Sequence, residues 1–144
     1  MARVEKSVLV GYSAAQMFEL VDRVEDYPQF LPWCARTDVS LRDEACVVAT
    51  VHIDYHHLKQ SFTTQNARQS PCFIEMRLQE GPFSVLDGSW RFHELAVDAC
   101  KVELLLHYEF SSKFVENIVS PVFGFIAGNL VEAFVERAEK VYGG

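Results

Sequence analysis

The stretch that decides the fold is residues 113–142, KFVENIVSPVFGFIAGNLVEAFVERAEKVY. From Ala127 onward its apolar residues recur every three or four positions, while charged residues fill the opposite side. This spacing is typical of an amphipathic α-helix with one apolar stripe to bury. Gly143 and Gly144 follow, as glycine follows many helix C-termini. We therefore predict a long final helix that packs by its stripe against the rest of the chain.

The first half of this stretch is apolar nearly all round. Phe114, Ile118 and Phe125 fall on the side that is charged later in the helix. Pro121 removes a backbone hydrogen bond and kinks a helix, and Ser120 before it would also suit the N-cap of a separate helix. We expect a kinked or broken helix whose first part guards an opening. The alternative is a helix start that is simply well buried.

Composition bounds the class of protein. A chain of 144 residues with 49% apolar residues can build one cored domain, residues 1–144, without disorder. The formal net charge of −7 comes with no basic stripe, so we expect no direct binding to DNA or RNA. Four cysteines without a C-x-x-C pair suggest neither a zinc site nor a disulfide framework. No signal peptide or bilayer-spanning segment is expected, which favours a reducing cytoplasm.

Apolar and polar residues alternate with a period of two through most of residues 3–110. In residues 47–53, for example, Val47, Val51 and Ile53 face one way and His52 the other. The pattern and its short turns predict about seven strands in an antiparallel sheet with one wet face. Ser13 and the residue three positions later form a capping box for a short helix. The predicted fold is α+β, with a curved antiparallel sheet around the terminal helix.

Residues 26–34 interrupt both patterns. Pro28 and Pro32 prevent a regular helix, while Tyr27, Phe30 and Trp33 need burial. We expect a short broken helix or an ordered lid. Two interpretations stay open, a structural plug over one end of the core or a gate for a ligand.

The sequence offers little catalytic chemistry. His52, Asp54 and His56 could form a metal ledge along one strand face, but no third or fourth convergent ligand follows, so we expect no metal. No G-x-S-x-G motif or glycine-rich phosphate loop is present. We therefore predict no catalytic residues and a protein that is not an enzyme.

The inward face of the predicted sheet is almost wholly apolar. Its polar groups are those of Gln60, Thr64, Tyr108 and the indole N–H of Trp90. This composition is typical of an apolar ligand pocket with a few orienting polar groups. It is equally typical of an ordinary core, and the residues alone leave both interpretations open.

Four motifs give the chain a recognisable pattern. They are Y-P-x-F-L-P-W-C at residues 27–34, G-P-F at 81–83, L-x-G-x-W-x-F at 86–92 and A-F-x-x-R-A at 133–138. Together they resemble the coenzyme Q-binding START-like family, a group that includes the bacterial RatA proteins and the polyketide cyclase/dehydrase-like (SRPBCC) superfamily. The resemblance covers essentially the whole chain and implies a helix-grip fold. His56 and His57 depart from the smaller, glycine-bearing turn that we expect in relatives.

The resemblance implies two functions of different classes. The first is non-catalytic binding of ubiquinone or a similar polyprenyl lipid, with no other cofactor, in support of respiration or quinone synthesis. It implies a mouth formed by residues 30–33 and 114–125 that docks transiently at a membrane surface, so the protein would be cytoplasmic and peripheral at the inner membrane. The implied cavity lining is as follows: Phe30, Leu31, Trp33, Val51, Phe62, Met76, Trp90, Leu106, Tyr108, Phe123, Ile126, Leu130 and Phe134.

The alternative function is a RatA-type toxin that binds the large ribosomal subunit and hinders subunit association. The net charge of −7 argues against RNA contact but not against a ribosomal-protein partner. A cyclase or hydrolase activity rests on superfamily membership alone and ranks last.

Overall fold

The computed structural model describes residues 2–143. Within them, seven strands precede one long helix, and a short helix and a 3₁₀ helix lie between the first two strands. The strands are β1 (Ala2–Val10), β2 (Cys34–Arg42), β3 (Cys46–Tyr55), β4 (Leu58–Gln69), β5 (Phe73–Glu80), β6 (Phe83–Ala96) and β7 (Ala99–Phe110). The helices are α1 (Ala14–Asp22), the 3₁₀ helix (Val24–Gln29) and α2 (Lys113–Tyr142).

The strands form one antiparallel sheet in the order β1-β7-β6-β5-β4-β3-β2. Strands β2 to β7 follow one another as hairpins, and β1 pairs with β7, so β1 and β2 are the edges. Helix α2 lies on the inner face and buries residues from Val119 to Ala138 against it. The predicted α+β fold, a curved seven-stranded sheet around a terminal helix, is confirmed.

The period-two alternation places the predicted faces correctly. On β3 the side chains of Val47, Ala49, Val51 and Ile53 are buried, and the residues between them are partly exposed. The capping box of α1 is present too, because the Ser13 hydroxyl accepts a hydrogen bond from the backbone N–H of Gln16 and the Gln16 side chain accepts one from the Ser13 N–H. These local signals position the sheet and α1 without any long-range information.

Helix α2 corrects the expectation of a broken helix. It runs without a break through Pro121, and its N-cap is Ser112, whose hydroxyl accepts a hydrogen bond from the backbone N–H of Val115. Ser120 is therefore an interior residue and not a cap.

By length and composition alone α2 could cross a membrane, contrary to our expectation, with a mean hydropathy of 1.7 in its most apolar window. The core helix of a globular protein passes the same test, and α2 packs on the sheet as such a helix.

The turn between β3 and β4 is built from two histidines. His56 and His57 have φ angles of 50° and 67°, in the left-handed region. Two consecutive positive φ angles are what a tight hairpin with right-handed strand twist requires, and Asn or Gly usually supplies them. The histidines therefore keep the turn tight at a cost in backbone strain.

Candidate functional site

A cavity of about 100 Å³ lies between the inner face of the sheet and α2. Its wall is contributed by the 3₁₀ helix, the residue before β2, strands β3 to β7 and the middle of α2. The side chains that line it are as follows: Tyr27, Trp33, Ala49, Val51, Phe62, Thr64, Asn66, Met76, Leu86, Leu104, Leu106, Phe123, Ile126, Ala127, Leu130 and Phe134. Since strands and helix each bring one inward stripe, the cavity is a gap left between two apolar surfaces.

Nine of the thirteen residues predicted as lining meet at this cavity. They are Trp33, Val51, Phe62, Met76, Leu106, Phe123, Ile126, Leu130 and Phe134. The other four do not line it. Phe30 faces a surface depression near Arg137, Leu31 is buried in the core beside the cavity, Trp90 lies in the tightly packed end of the core, and Tyr108 packs among phenylalanines.

Several lining residues escaped the sequence analysis. Ala49, Leu86 and Leu104 lie on inward strand positions, so the alternation carried a signal for them. Ala127 lies on the apolar stripe of α2, where its small side chain leaves room for the cavity. Gln60 was expected to face inward, and it lies half-buried opposite the buried Ile53 of β3 without lining the cavity.

Tyr27 closes the cavity from the side of the 3₁₀ helix, and no period in the sequence could have revealed it. Its hydroxyl donates a hydrogen bond to the backbone carbonyl of Val21, so only the ring faces inward. Burial raises the pKa of this phenol far above its usual value, with the Asp22 charge adding to the effect. The ring meets those of Phe30 and Phe134 edge-on, with centroids 6.1 and 5.4 Å away. Tyr27 is therefore a neutral wall residue.

An aromatic cluster closes the cavity toward the end of the sheet where α2 begins. Its five rings are those of Phe62, Phe83, Tyr108, Phe110 and Phe123. Phe123 is central, because its centroid lies 4.8 to 6.1 Å from those of the other four. Edge-to-face pairs of this kind add to the stabilisation from burial. Two of these rings, Phe62 and Phe123, also line the cavity.

A strip of exposed apolar side chains runs along the start of α2 at the same end. Phe114, Ile118 and Phe125 are 73%, 48% and 50% exposed. The ring of Tyr55, at the end of β3, stacks on Phe125 with a centroid distance of 5.9 Å. The prediction that these helix residues turn away from the core is confirmed. We call Phe114, Ile118 and Phe125 the apolar strip.

The electrically charged groups lie away from the cavity. On the outer face, His52 Nε2 is 2.7 Å from Asp38 Oδ2, and this hydrogen bond lowers the pKa of the Asp38 carboxyl. Among residues 2–143 no group of three potential metal ligands converges. His52 is thus engaged by Asp38, and the ring of His56 packs against Tyr55 at 4.1 Å.

A partly buried ion-pair network fixes the end of α1, next to the 3₁₀ helix, to the sheet. Asp22, at the end of α1, accepts hydrogen bonds from Arg68 Nη2 at 2.9 Å and Arg42 Nη1 at 3.1 Å. Arg68 Nε is also 2.8 Å from the second carboxylate oxygen, although its N–H does not point at that oxygen. The network joins α1 to β2 and β4 and so holds the Tyr27 side of the cavity wall in place.

The chemistry available to the cavity follows from its lining. Among the described residues, those that line it carry no carboxylate, imidazole or ammonium group. Its polar side chains are those of Thr64 and Asn66, which are neutral, and the lining also includes the indole N–H of Trp33 and the hydroxyl of Tyr27, which is bonded to the Val21 carbonyl. The arrangement can surround an apolar molecule and donate or accept hydrogen bonds, and it has no acid–base pair for proton transfer.

Comparison with known proteins identifies relatives along nearly the whole chain. Residues 10–135 match the family model described as "Polyketide cyclase / dehydrase and lipid transport". The chain is 44% identical over 143 residues to the ribosome association toxin RatA of Vibrio cholerae, covering 99% of both chains. It is 26% identical over 139 residues to the mitochondrial coenzyme Q-binding protein COQ10 of Drosophila melanogaster, covering 94% of this chain and 57% of that protein.

Solved structures support the fold. The Zhui aromatase/cyclase from Streptomyces superposes with a TM-score of 0.82 at 16% identity, covering 99% of this chain and 98% of the other. A START superfamily protein from Mycobacterium smegmatis superposes with a TM-score of 0.79 at 21% identity, covering 96% and 98%. The chain therefore belongs to the polyketide cyclase/dehydrase and lipid transport family, has a START-like fold, and counts the RatA proteins and, more distantly, COQ10 among its relatives.

Proposed function

We propose that the chain binds a prenylated quinone, or a similar polyprenyl lipid, between the sheet and α2 and carries it without changing it chemically. The observation that supports this best is the cavity itself, whose lining is apolar except at Thr64 and Asn66. Burying an isoprenoid tail there would gain roughly 25 cal/mol per Å² of apolar surface. The likeness to COQ10 points to the same class of ligand.

The cavity must enlarge to hold such a ligand. Its volume of about 100 Å³ is below the roughly 300–1,000 Å³ of ordinary ligand sites. The start of α2 precedes the residues that line the cavity and is weakly held, because Val119 is the buried residue of its first two turns. Pro121 adds to this weakness, since it cannot donate a hydrogen bond to the carbonyl of Asn117. In this proposal the start of α2 moves away from the aromatic cluster to admit the ligand.

The apolar strip provides a surface by which the opening end of the protein could contact a membrane. Phe114, Ile118 and Phe125 present large apolar side chains to solvent at the end of the molecule that would open. Exposed patches of this kind mark interaction surfaces. In the proposal, the strip dips into the surface of the inner membrane while the protein collects or delivers its ligand, and the protein is otherwise cytoplasmic.

Lipid extraction tests the proposal. The purified chain is incubated with quinone-containing vesicles, separated from them, extracted with organic solvent and analysed by mass spectrometry. We expect close to one quinone or prenyl lipid per chain. Leu130→Trp fills the cavity and should abolish uptake, whereas the control Leu9→Trp alters a residue that is 69% exposed and should not. A lipid-free wild-type extract would refute the carrier function.

A second function, association with the ribosome at its large subunit, is favoured by a different observation. The relative with 44% identity along nearly the whole chain is named a ribosome association toxin. With a net charge of −7, the contact would be with a ribosomal protein rather than with RNA. Cosedimentation with large subunits that survives high salt would support this function, and none at low salt would refute it.

A further inference from the structure

Two polar side chains interrupt the apolar wall of the cavity. Thr64 and Asn66 lie on inward positions of β4 and are 8% and 9% exposed. They are the buried polar side chains of the described chain, and both line the cavity. Buried polar groups cost free energy unless they are hydrogen-bonded, so an ordinary core position would carry an apolar residue. Their presence at this one place calls for a physical reason.

Part of the reason is a hydrogen bond between the two. Thr64 Oγ1 donates to Asn66 Oδ1 over 2.8 Å. In this bond the amide oxygen of Asn66 is the acceptor, and the bond fixes the plane in which the amide lies. The two N–H donors on Nδ2 are not used by it. Thr64 therefore orients Asn66 so that its donor end is available for another partner.

The neighbouring strands do not supply that partner. In the sheet register Asn66 lies opposite Val47 on β3 and Met76 on β5, and Thr64 lies opposite Ala49 and Leu78. These side chains are apolar, apart from the weak acceptor sulfur of Met76. The sheet thus surrounds the amide with apolar groups on both sides, and the remaining direction is the cavity.

The depth of the pair sets the direction in which a ligand would lie. Strand β4 starts at Leu58, opposite Tyr55, whose ring stacks on Phe125 of the apolar strip, and Phe62 of the aromatic cluster precedes Thr64 and Asn66 along it. Asn66 is eight residues into the strand, which corresponds to about 26 Å. A molecule entering past the aromatic cluster would place its leading end at Asn66 and leave its trailing end near the apolar strip.

The leading end of the ligand must be neutral, because no charged side chain among the described residues lines the cavity. Residues of the described chain that line the cavity carry no cationic or anionic side chain. A phosphate or carboxylate there would be a buried, unpaired charge, which is strongly unfavourable. A neutral carbonyl oxygen, in contrast, needs only one or two hydrogen-bond donors, and Nδ2 of Asn66 supplies them.

We infer that Asn66, oriented by Thr64, donates a hydrogen bond to a neutral carbonyl oxygen on the buried head of the ligand and so selects carbonyl-bearing lipids over hydrocarbons and anionic lipids. This inference rests on the proposed carrier function and adds to it the residue that recognises the head group of the ligand. Thr64 is a positioning residue, because it acts through Asn66. The ligand lies head-inward, with its tail toward the apolar strip.

Two probes with the same tail test the inference. Decylbenzoquinone carries two ring carbonyls, and decylbenzene carries none. Each is offered to the full chain in neutral phosphatidylcholine vesicles, and the protein-bound amount is measured by extraction and mass spectrometry. We expect the wild type to take up the quinone at least about tenfold better than the hydrocarbon, the effect of one well-placed hydrogen bond in an apolar site.

The variants separate head-group reading from fold. Asn66→Leu keeps the approximate shape of the side chain and removes the amide, so quinone uptake should fall about tenfold while decylbenzene uptake is kept or rises. Thr64→Val removes the orienting hydroxyl and should lower quinone uptake by a few fold, again without loss of decylbenzene. Circular dichroism checks that each variant is folded, and if Asn66→Leu is not, Thr64→Val alone decides.

Three results would overturn the inference, and they differ in what else they overturn. Equal uptake of both probes by the wild type, or unchanged quinone uptake by the folded variants, would show a purely structural pair and leave the carrier function standing. Equal loss of both probes in the variants would show a damaged cavity rather than a lost head-group contact. No uptake of either probe by the wild type would remove the carrier function together with the inference.

Discussion

The α1 end and the middle of the core are equally buried and differently filled. At the end where α1 packs, Met17, Cys100 and Ala138 are 0% exposed and do not line the cavity. In the middle, Ala49 and Ala127 are also nearly fully buried, at 2% each, yet they border a cavity. The difference is the third layer, because α1 fills the gap between sheet and α2 at one end and only the thinner 3₁₀ helix covers the middle. Burial alone therefore does not identify a binding site here.

The two tryptophans give the largest test of this comparison. Trp90 lies in the packed end at 2% exposure, and Trp33 lines the cavity at 8%. Trp90→Ala should lower the free energy of unfolding by about 3–5 kcal/mol, because the packed end cannot collapse around the space it leaves. Trp33→Ala should cost clearly less, since part of its ring faces a cavity already. Urea unfolding monitored by circular dichroism measures the loss in each variant, and equal losses would mean that the packed end and the cavity region are packed alike.

Two alanines on α2 provide a matched pair in the opposite direction. Ala138 faces the packed end and Ala127 faces the cavity. Ala138→Leu should destabilise the fold by about 1–3 kcal/mol through overpacking. Ala127→Leu should change stability by less than about 1 kcal/mol and reduce lipid uptake, because the added methylenes enter the cavity. Urea unfolding and lipid extraction on the same preparations decide, and strong destabilisation by Ala127→Leu would contradict a real void.

The sequence predicted the fold well because its signals are local. Alternation along β3 and β7, the capping box at Ser13 and the stripe of α2 each state which face is buried without reference to the rest of the chain. Of the kinked or broken helix expected at Pro121, the break was wrong for the same reason. Ser120 suited a cap locally, but packing of Val119 and Phe123 on the same sheet keeps the helix continuous.

The cavity was harder to predict, because it is a property of pairs of surfaces. Alternation says that Trp90 and Leu104 both face inward, and only the position of α1 decides that Trp90 is enclosed in the packed end. Tyr27 lines the cavity from the 3₁₀ helix, which is too short to show a hydrophobic period in the sequence. Asn66 was missed although its strand position faces inward, because a polar residue weakens the apolar alternation that marks a buried face.

A smaller effect concerns the pH dependence of stability in the core around the cavity. Burial raises the pKa of the Cys34 thiol, in the core around the cavity, to about 11. The unfolded chain ionises this thiol near pH 8.5. The folded state therefore holds the proton longer, so its stabilising effect is complete below about pH 8.5 and is lost as the pH rises to about 11. In Cys34→Ala the free energy of unfolding should fall less steeply over this interval, whereas the exposed control Cys72→Ala should behave as wild type. Identical slopes in all three proteins would show that Cys34 is solvated.

The last comparison lies within α2 and concerns motion. Its first two turns bury Val119, whereas the turns after Pro121 bury six side chains from Phe123 to Ala138. The Asn117 carbonyl also lacks the N–H that any residue but proline would offer at position 121. Amide hydrogen exchange should therefore be faster at residues 113–120 than at 122–138, because few buried contacts must break for the first part to open.

Pro121→Ala restores one hydrogen bond and should protect the first part by about 1 kcal/mol, while slowing lipid uptake. Glu132→Ala, at an exposed position in the second part, is the matched control and should change neither. If the wild-type helix exchanges uniformly along its length, the start of α2 does not open separately, and a ligand must reach Asn66 by another route.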